Sequence, residues 1–405
     1  MNVNKTVIGD VCDFVGGSQP PKSNFISEYK EGYIRFIQTR DYKTDSFLTY
    51  IPISIARRFC NRHDIMIGRY GPPIFQILRG IEGAYNVALM KAVPNPNIIN
   101  DYLFYLLKQE AIFKYVDGLS LRTGGQTGVD IDSLNQYPIL LPDLPYQQCV
   151  VDVLKSLDDK IAVNNRINSD FDAIAKTIYD YWFVQFDFPD KNGNPYKSSG
   201  GKMVWNEKLK REIPDEWKVK SLSEITSISN DSINPFDFPE KDFKHYSIPA
   251  FDESGTFKIE KGSEIKSNKF VIKFTDVLVS KLNPWFNRVI YSTEDADLIS
   301  STEFVVWRTK NIAIKNYMYM IARDASFSKY CTQSASGTSH SHKRVNPTVM
   351  MKYQIVFNDE IAEKFGLTLG STIKMYAKNQ VENNNLLALR DWLLPMLMNG
   401  QVKVK

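Results

Sequence analysis

Apolar side chains recur at alternating steps of three and four from Leu154 through Leu157 and Ile161, then from Phe171 through Ala175 and Ile178 to Trp182, with Asn164 and Asn168 on the same stripe. This is the seam of a coiled coil, and no proline or glycine interrupts the chain between Tyr146 and Phe188. The spacing predicts a helix of about 35 residues, ~50 Å long at its ordinary rise. A second stripe runs through Leu369, Ile373, Tyr376, Gln380 and Asn383. It shifts register to Leu386, Leu389, Leu393 and Met396, and stops at Asn399-Gly400. Polar residues on a core stripe cost stability and fix register and partner. Asn164, Asn168, Gln380 and Asn383 are therefore expected to meet where the two helices pair antiparallel. Two amphipathic helices packed separately on their own domains is the alternative.

Before each long helix the pattern shortens to β-like runs, such as Tyr33-Ile-Arg-Phe-Ile37, Phe270-Val-Ile-Lys-Phe274 and Phe304-Val-Val-Trp307. These regions also repeat one another, with a period of about 215 residues. Asp64-Ile-Met-Ile-Gly-Arg69 is echoed by Asp276-Val-Leu-Val-Ser-Lys281: an acid, three apolar residues, a small residue, a cation. Asn100-Asp-Tyr-Leu-Phe-Tyr-Leu-Leu107 is echoed by Lys315-Asn-Tyr-Met-Tyr-Met-Ile-Ala322. A helix-like run ending at Lys114-Tyr115 or Lys329-Tyr330 follows in each. Then come a small-residue loop, at 122–128 or 336–344, and an extended segment, at 137–142 or 353–358. The stretch 187–216, rich in Pro, Gly, Asn, Ser and Lys, reads as a surface connection. The expected fold class is α+β: two domains in a pseudo-twofold repeat, separated by two long helices forming an antiparallel coiled coil. The boundaries are a first domain at 1–145, the first long helix at 146–188, a linker at 189–215, a second domain at 216–358 and the second long helix at 359–405.

A chain of 405 residues, 43% hydrophobic, can bury more than one core, as the repeat requires. No apolar stretch reaches the ~18 residues of a membrane span, and the N-terminus lacks the pattern of a signal peptide. Cys12, Cys60, Cys149 and Cys331 lie far apart, without a CxxC pair, as free thiols in a reducing cytoplasm do. A net charge of +4 permits a nucleic-acid partner without requiring one.

Candidate chemistry is sparse. Asn283-Pro-Trp-Phe286 looks like the Asn-Pro-Pro-Phe box of amino-methyltransferases, in which the Asn and a prolyl carbonyl hold the target amine and the aromatic stacks on a flipped base. Trp285 replaces the second proline, however, and no glycine-rich strand–loop–helix unit for S-adenosylmethionine stands upstream. His340 and His342 have no carboxylate or cysteine close in sequence, so no metal site is expected. Phosphate-cradling loops and serine-nucleophile elbows are absent. The residues read as a binding protein. A stand-alone adenine-N6 DNA methyltransferase, the fused targeting domain of one, and a protein-binding adaptor are the alternatives.

Leu141-Pro-Asp-Leu-Pro-Tyr-Gln-Gln148, Leu157-Asp-Asp-Lys-Ile161, Asn164-Asn-Arg-Ile-Asn168 and Tyr181-Trp-Phe-Val-Gln-Phe-Asp-Phe-Pro189 resemble the central conserved region of bacterial type I restriction-modification specificity subunits. The segments Asn192-Gly-Asn-Pro-Tyr-Lys-Ser-Ser-Gly-Gly-Lys-Met203 and Arg211-Glu-Ile-Pro-Asp-Glu-Trp217 extend the likeness. Leu389-Arg-Asp-Trp-Leu-Leu-Pro-Met-Leu-Met-Asn-Gly400 is similar to that family's C-terminal end. Pro145-Tyr-Gln-Gln148 departs mildly from the family's usual Pro/Glu-Gln signature. The resemblance implies a non-catalytic, cytoplasmic subunit with two target-recognition domains, each reading half of a bipartite site in double-stranded DNA. It implies that the helices act as a spacer and dock two modification subunits, which carry S-adenosylmethionine. It also implies restriction (motor-nuclease) subunits that use ATP and Mg, and no cofactor in this chain.

A reader of base edges needs cations, amides or hydroxyls on exposed segments, with further cations on phosphates. In the first half the candidates are Arg35, Gln38 and Arg40 on a β-like run, and Arg69, Tyr70 and Arg79 around a Gly-Pro-Pro turn. Arg122, Thr123, Gly125, Gln126 and Thr127 on the small-residue loop complete that group. The second half offers Lys281, Asn283, Arg288, Ser339, His340, His342, Lys343 and Arg344, with His245-Tyr246 as a further pair.

Overall fold

The structure, a computed structural model, describes residues 3–71, 73–120, 128–292, 296–337 and 342–402. It divides into two units, one made of residues 1–159 with 387–405 and the other of residues 160–386.

In the first unit a four-stranded sheet runs in the order Cys12–Gly16, Leu89–Pro94, Ile65–Gly68, Ile77–Leu78. Ile65–Gly68 is buried along its whole length. An unbroken apolar strand needs a core on each face, because successive side chains point to opposite sides. Ile65 and Ile67 enter the core that holds Tyr102, Leu103 and Leu106 of the helix Asn100–Leu107. Met66 points the other way, against Ile37, Tyr85 and Leu89. A second sheet runs Tyr50–Pro52, Tyr33–Ile37, Gly83–Tyr85, Phe59–Cys60, its middle pair parallel. Val3–Val7 pairs antiparallel with Pro138–Pro142.

The second unit has the same strand order. Its first sheet runs Ser227–Ser229, Phe304–Arg308, Asp276–Ser280, Val289–Tyr291. Val277 and Val279 enter one core and Leu278 another. The other sheet runs Lys258–Lys261, Asp242–Tyr246, Leu298–Ser300, Lys269–Val271, again with a parallel middle pair, and Ser232–Ile233 is added at its edge. Lys218–Ser221 pairs with Gln354–Phe357 as Val3–Val7 pairs with Pro138–Pro142. The acid at the head of each central strand is matched by a cation from the neighbouring strand. Arg308 donates to both carboxylate oxygens of Asp276 at 2.9 Å, and Lys91 meets Asp64 at 3.2 Å.

The first long helix spans Leu144–Tyr179 and widens into a π turn over Asp180–Val184. It stops short of Phe188 because Trp182, Phe183, Phe186 and Phe188 turn into the second unit's core, with Phe186 left-handed at φ +67°. The segment read as a linker, 189–215, is likewise part of the folded body. Tyr196 stacks on Phe188 with ring centroids 4.7 Å apart, and Met203–Asn206 forms a hairpin with Arg211–Pro214. Its polar residues make the turns, while interspersed aromatic and apolar residues pack.

The second long helix spans Asp359–Met398, and Gly400 beyond it adopts φ +68°, as a helix-ending glycine does. Within the second unit Asn164 Nδ2 donates to Asn383 Oδ1 at 2.9 Å, and Asn379 Nδ2 to Asn168 Oδ1 at 2.9 Å. Partner numbers fall as the first helix's numbers rise, so the paired segments run antiparallel. Asn379, not Gln380, meets Asn168; Gln380 donates to Tyr376 Oη of its own helix at 3.3 Å. Stepping one turn back from Asn383 along a helix lands on Asn379, and Gln380 lies a third of a turn off that line.

Asn164 and Asn383 are both buried. Asn164→Leu alone leaves buried amide groups unmatched and should cost about 1–3 kcal/mol. Adding Asn383→Leu should recover most of the loss, because an apolar pair replaces a hydrogen-bonded one. Denaturant midpoints of the full-length single and double variants decide it, and simple additivity of the two losses would refute the pairing.

In the first unit, Leu394, Leu397 and Met398 join the core with Val150 and Leu154. Tyr146 Oη donates to the carbonyl of Val402 at 3.0 Å, and Arg390 Nη1 to Asp158 Oδ1 at 2.8 Å.

Candidate nucleic-acid interface

A chain leaving a buried central strand must surface at its end, and in both units it surfaces at a cation. In the first unit Arg69 follows Ile65–Gly68, and its N–H donates to the carbonyl of Ala88 at 2.8 Å. In the second, Lys281 follows Asp276–Ser280, and its N–H donates to the carbonyl of Glu303 at 2.9 Å. The carbonyl of each cation then accepts from a valine on the far side of the small-residue loop: Val129 N–H to Arg69 at 3.1 Å, Val345 N–H to Lys281 at 3.0 Å. Tyr70 bridges Gly128 and Leu282 bridges Arg344. The approach is close at Gly128, where a Cβ would stand 3.2 Å from the Tyr70 ring and the ring would have to give way by a few tenths of an ångström. Each small-residue loop is thereby tied to the end of its unit's central strand.

Arg122, Thr123, Gly125, Gln126 and Thr127 lie outside the described residues, as do Ser339 and His340. Of the others, Arg69, Tyr70, Lys281, His342, Lys343 and Arg344 stand at these junctions. The Arg69 guanidinium lies 5.2 Å from the centre of the Tyr70 ring, and Arg344 Nε is 3.0 Å from Glu303. Arg40 is half-exposed, over the Phe47 ring, and Gln38 Nε2 reaches Thr49 Oγ1 at 3.4 Å.

Several candidates instead make contacts inside their own unit. Arg79 pairs with Asp101 at 2.8 Å and stacks on Phe104. Arg35 pairs with Asp45 at 2.7 Å. Arg288 is forked onto both oxygens of Asp252, at 2.5 and 2.7 Å, with only 10% of its side chain exposed. His245 and Tyr246 are buried in the strand Asp242–Tyr246, where His245 Nδ1 meets Glu260 at 2.6 Å. Asn283 is left-handed at φ +47°, and its Oδ1 accepts from the Lys343 N–H at 3.0 Å. In this chain the Asn of the methyltransferase-like box therefore staples a turn to a loop.

Burial pushes the Cys60 thiol up to about 11 and those of Cys12 and Cys331 to about 12, so these sulfurs are protonated apolar fillers rather than nucleophiles. Among the described residues no group of three His, Cys, Asp or Glu side chains is placed to hold a metal ion. None of the described helices is long and apolar enough to cross a membrane.

Residues 2–170 match the family model described as the type I restriction modification DNA specificity domain. Over 442 aligned positions the chain is 22% identical to the type I restriction enzyme MjaIX specificity subunit of Methanocaldococcus jannaschii, with 98% of this chain and 93% of that protein covered. Residues 2–170 thus carry a type I DNA specificity domain, and the chain along nearly its whole length is similar to type I specificity subunits. The HindI specificity subunit of Haemophilus influenzae is 23% identical over 369 residues, 76% of this chain and 79% of that protein. The fold is shared with the crystal structure of the type I system S subunit from M. genitalium, at a TM-score of 0.62 and 13% identity, covering 98% of this chain and 96% of that one. Specificity subunits are the DNA-recognition components of type I systems and not the catalytic ones. A methyltransferase reading of this chain is accordingly not favoured.

Proposed function

We propose that each unit of this specificity subunit reads one half of a bipartite, asymmetric DNA site. In the first unit the contacts come from the loop 122–127 with Arg40, Arg69 and Tyr70. In the second they come from the loop 338–344 with Lys281. The observation that supports this most is the tie, made at the same place in both units, between a small-residue loop and a cation at the end of the central strand. Backbone that approaches DNA closely needs small residues, and cations beside it neutralise phosphate while amides and hydroxyls reach base edges. The long helices, paired as an antiparallel coiled coil, set the spacing between half-sites and dock two modification subunits. Those partners bring S-adenosylmethionine, restriction subunits bring ATP and Mg, and the assembly works in the cytoplasm. This chain supplies the address and needs no cofactor.

The test is to assemble the full chain with its modification subunits and to measure DNA binding against salt concentration. Lys343→Ala with Arg344→Ala should weaken binding. A lost phosphate contact lowers affinity for all sequences and flattens the salt dependence by about one unit of slope. A lost base contact costs about 1–3 kcal/mol at one position of the site. Unchanged affinity at low salt would remove this loop from the interface.

A further inference from the structure

Two large aromatic side chains stand in solvent beside the second unit's loop: Trp285, 40% exposed, and Phe286, 59% exposed. They occupy the short turn Pro284–Phe286, set between left-handed Asn283 and Asn287, both at φ +47°. Asparagine is one of the few residues other than glycine that visits this conformation readily. The turn is braced on every side. The Asn283 N–H donates to the carbonyl of Lys343 at 2.7 Å, and the Lys343 N–H returns to Asn283 Oδ1 at 3.0 Å. Asn287 Nδ2 donates to the carbonyl of Arg323 at 3.0 Å, and Ser328 Oγ to that of Pro284 at 3.2 Å. Pro284 itself is buried. So firm a scaffold fixes the backbone while leaving the rings uncovered.

The first unit also carries an exposed aromatic at its loop junction, at the position that Leu282 takes in the second unit. Tyr70, 40% exposed, follows Arg69 where the loop bridge forms. In both units a guanidinium lies over the ring, Arg69 over Tyr70 at 5.2 Å and Arg288 over Phe286 at 4.5 Å. Around the second turn stand Lys281, Arg288, Lys343 and Arg344 against the carboxylates of Asp252 and Glu303. The surface is apolar at its tip and cationic at its rim. A ligand matching both is a polyanion that presents flat apolar faces and methyl groups between its charges, as base pairs do in a DNA groove.

We propose that Trp285 and Phe286 in the second unit, and Tyr70 in the first, are specificity-determining residues that press against bases of their respective half-sites. This rests on the DNA-reading function proposed above. Because the aromatics differ between units, each contributes to a different half-site sequence.

The test uses the full chain assembled with its modification subunits, wild type against Trp285→Ala, Phe286→Ala and Tyr70→Ala. Methylation sites are mapped genome-wide, and binding to the cognate duplex is measured. Trp285→Ala or Phe286→Ala should relax one or two adjacent positions of one half-site and leave the other unchanged. Tyr70→Ala should relax the opposite half. Cognate affinity should fall by roughly 5- to 150-fold. Thermal melts matching wild type show that the variants fold, as expected for exposed side chains. An unchanged motif with cognate affinity within about twofold of wild type overturns the inference while leaving the DNA-reading function standing. Equal weakening on all sequences also overturns it, as does loss of modification-subunit assembly, which would make the turn a protein contact. A wild-type assembly that shows no sequence preference removes the function and this inference together.

Discussion

Replacing Arg308 by Met should lower the stability of the second unit by about 3–5 kcal/mol, the cost of stripping a buried carboxylate of its cation. The Asp276 side chain is fully buried at the head of the central strand, and Arg308 binds both its oxygens. With the guanidinium gone, the N–H of Lys273 remains at 2.8 Å, which solvates the charge without neutralising it. Domain stabilities of roughly 5–15 kcal/mol leave little margin for such a loss. The melting temperature should fall by about 6–20 °C. The equivalent change in the first unit, Lys91→Met, should cost no more than about 1 kcal/mol, since the Asp64 and Lys91 side chains each remain 23% exposed and water can take over. Calorimetry of the two full-length variants settles the comparison. Equal losses would show that burial of the acid does not set the cost.

Lengthening both helices by one heptad should change the DNA site that the assembled complex methylates. The proposed division of labour gives the spacer to the helices and the half-sites to the two sheet-bearing bodies. Seven residues inserted after Asn168, with seven after Lys378, keep Asn168 and Asn379 on matching sides of the antiparallel pair. A heptad returns the seam to nearly the same face, with a drift of about 20°. It adds ~10 Å of helix, or about three base pairs at ~3.4 Å each. The mapped motif should keep both half-sites and gain about three positions between them. An unchanged spacer in an active complex would refute the helices as the ruler, and altered half-sites would refute recognition by the separate bodies. An insertion in one helix alone tests something else, since it pulls Asn168 away from Asn379.

The parts legible in the sequence are those that depend on local period. The heptad stripe placed Asn164, Asn168 and Asn383 on the pairing seam because every seventh residue returns to one face, and which of them meet is a matter of the structure. The runs after Asp64 and Asp276 were legible as a repeat, and their three consecutive apolar residues turn out to face two cores from the centre of each sheet. What stayed hidden was set by partners distant in sequence. Arg79 and Arg288 have the composition of DNA contacts, and nothing nearby reveals Asp101, 22 residues away, or Asp252, 36 residues away. His245 resembles a surface ligand until the strand that buries it is known. Asn283 sits in a box with a chemical resemblance, but its amide is already committed to the loop across from it. Gln380 differs from Asn379 by a single position, and stripe-reading is least secure where the second helix changes register. The stretch after Phe188 has a linker's composition, yet Tyr196 and the hairpin at 203–214 pack.

The second unit is one unbroken stretch of chain, whereas the first takes its last core residues, Leu394, Leu397 and Met398, from the far end of the sequence. Order of synthesis and order of completion therefore differ. The sheets of the first unit emerge early, and the side chains that cover Val150 and Leu154 arrive only after the whole of the second unit has been made. Until then its apolar surface is open to chaperones and to neighbouring chains. A stop codon placed just before Leu394, which changes no residue proposed to touch DNA, would spare the half that finishes in one piece. The damage would fall on the half that the ribosome began first.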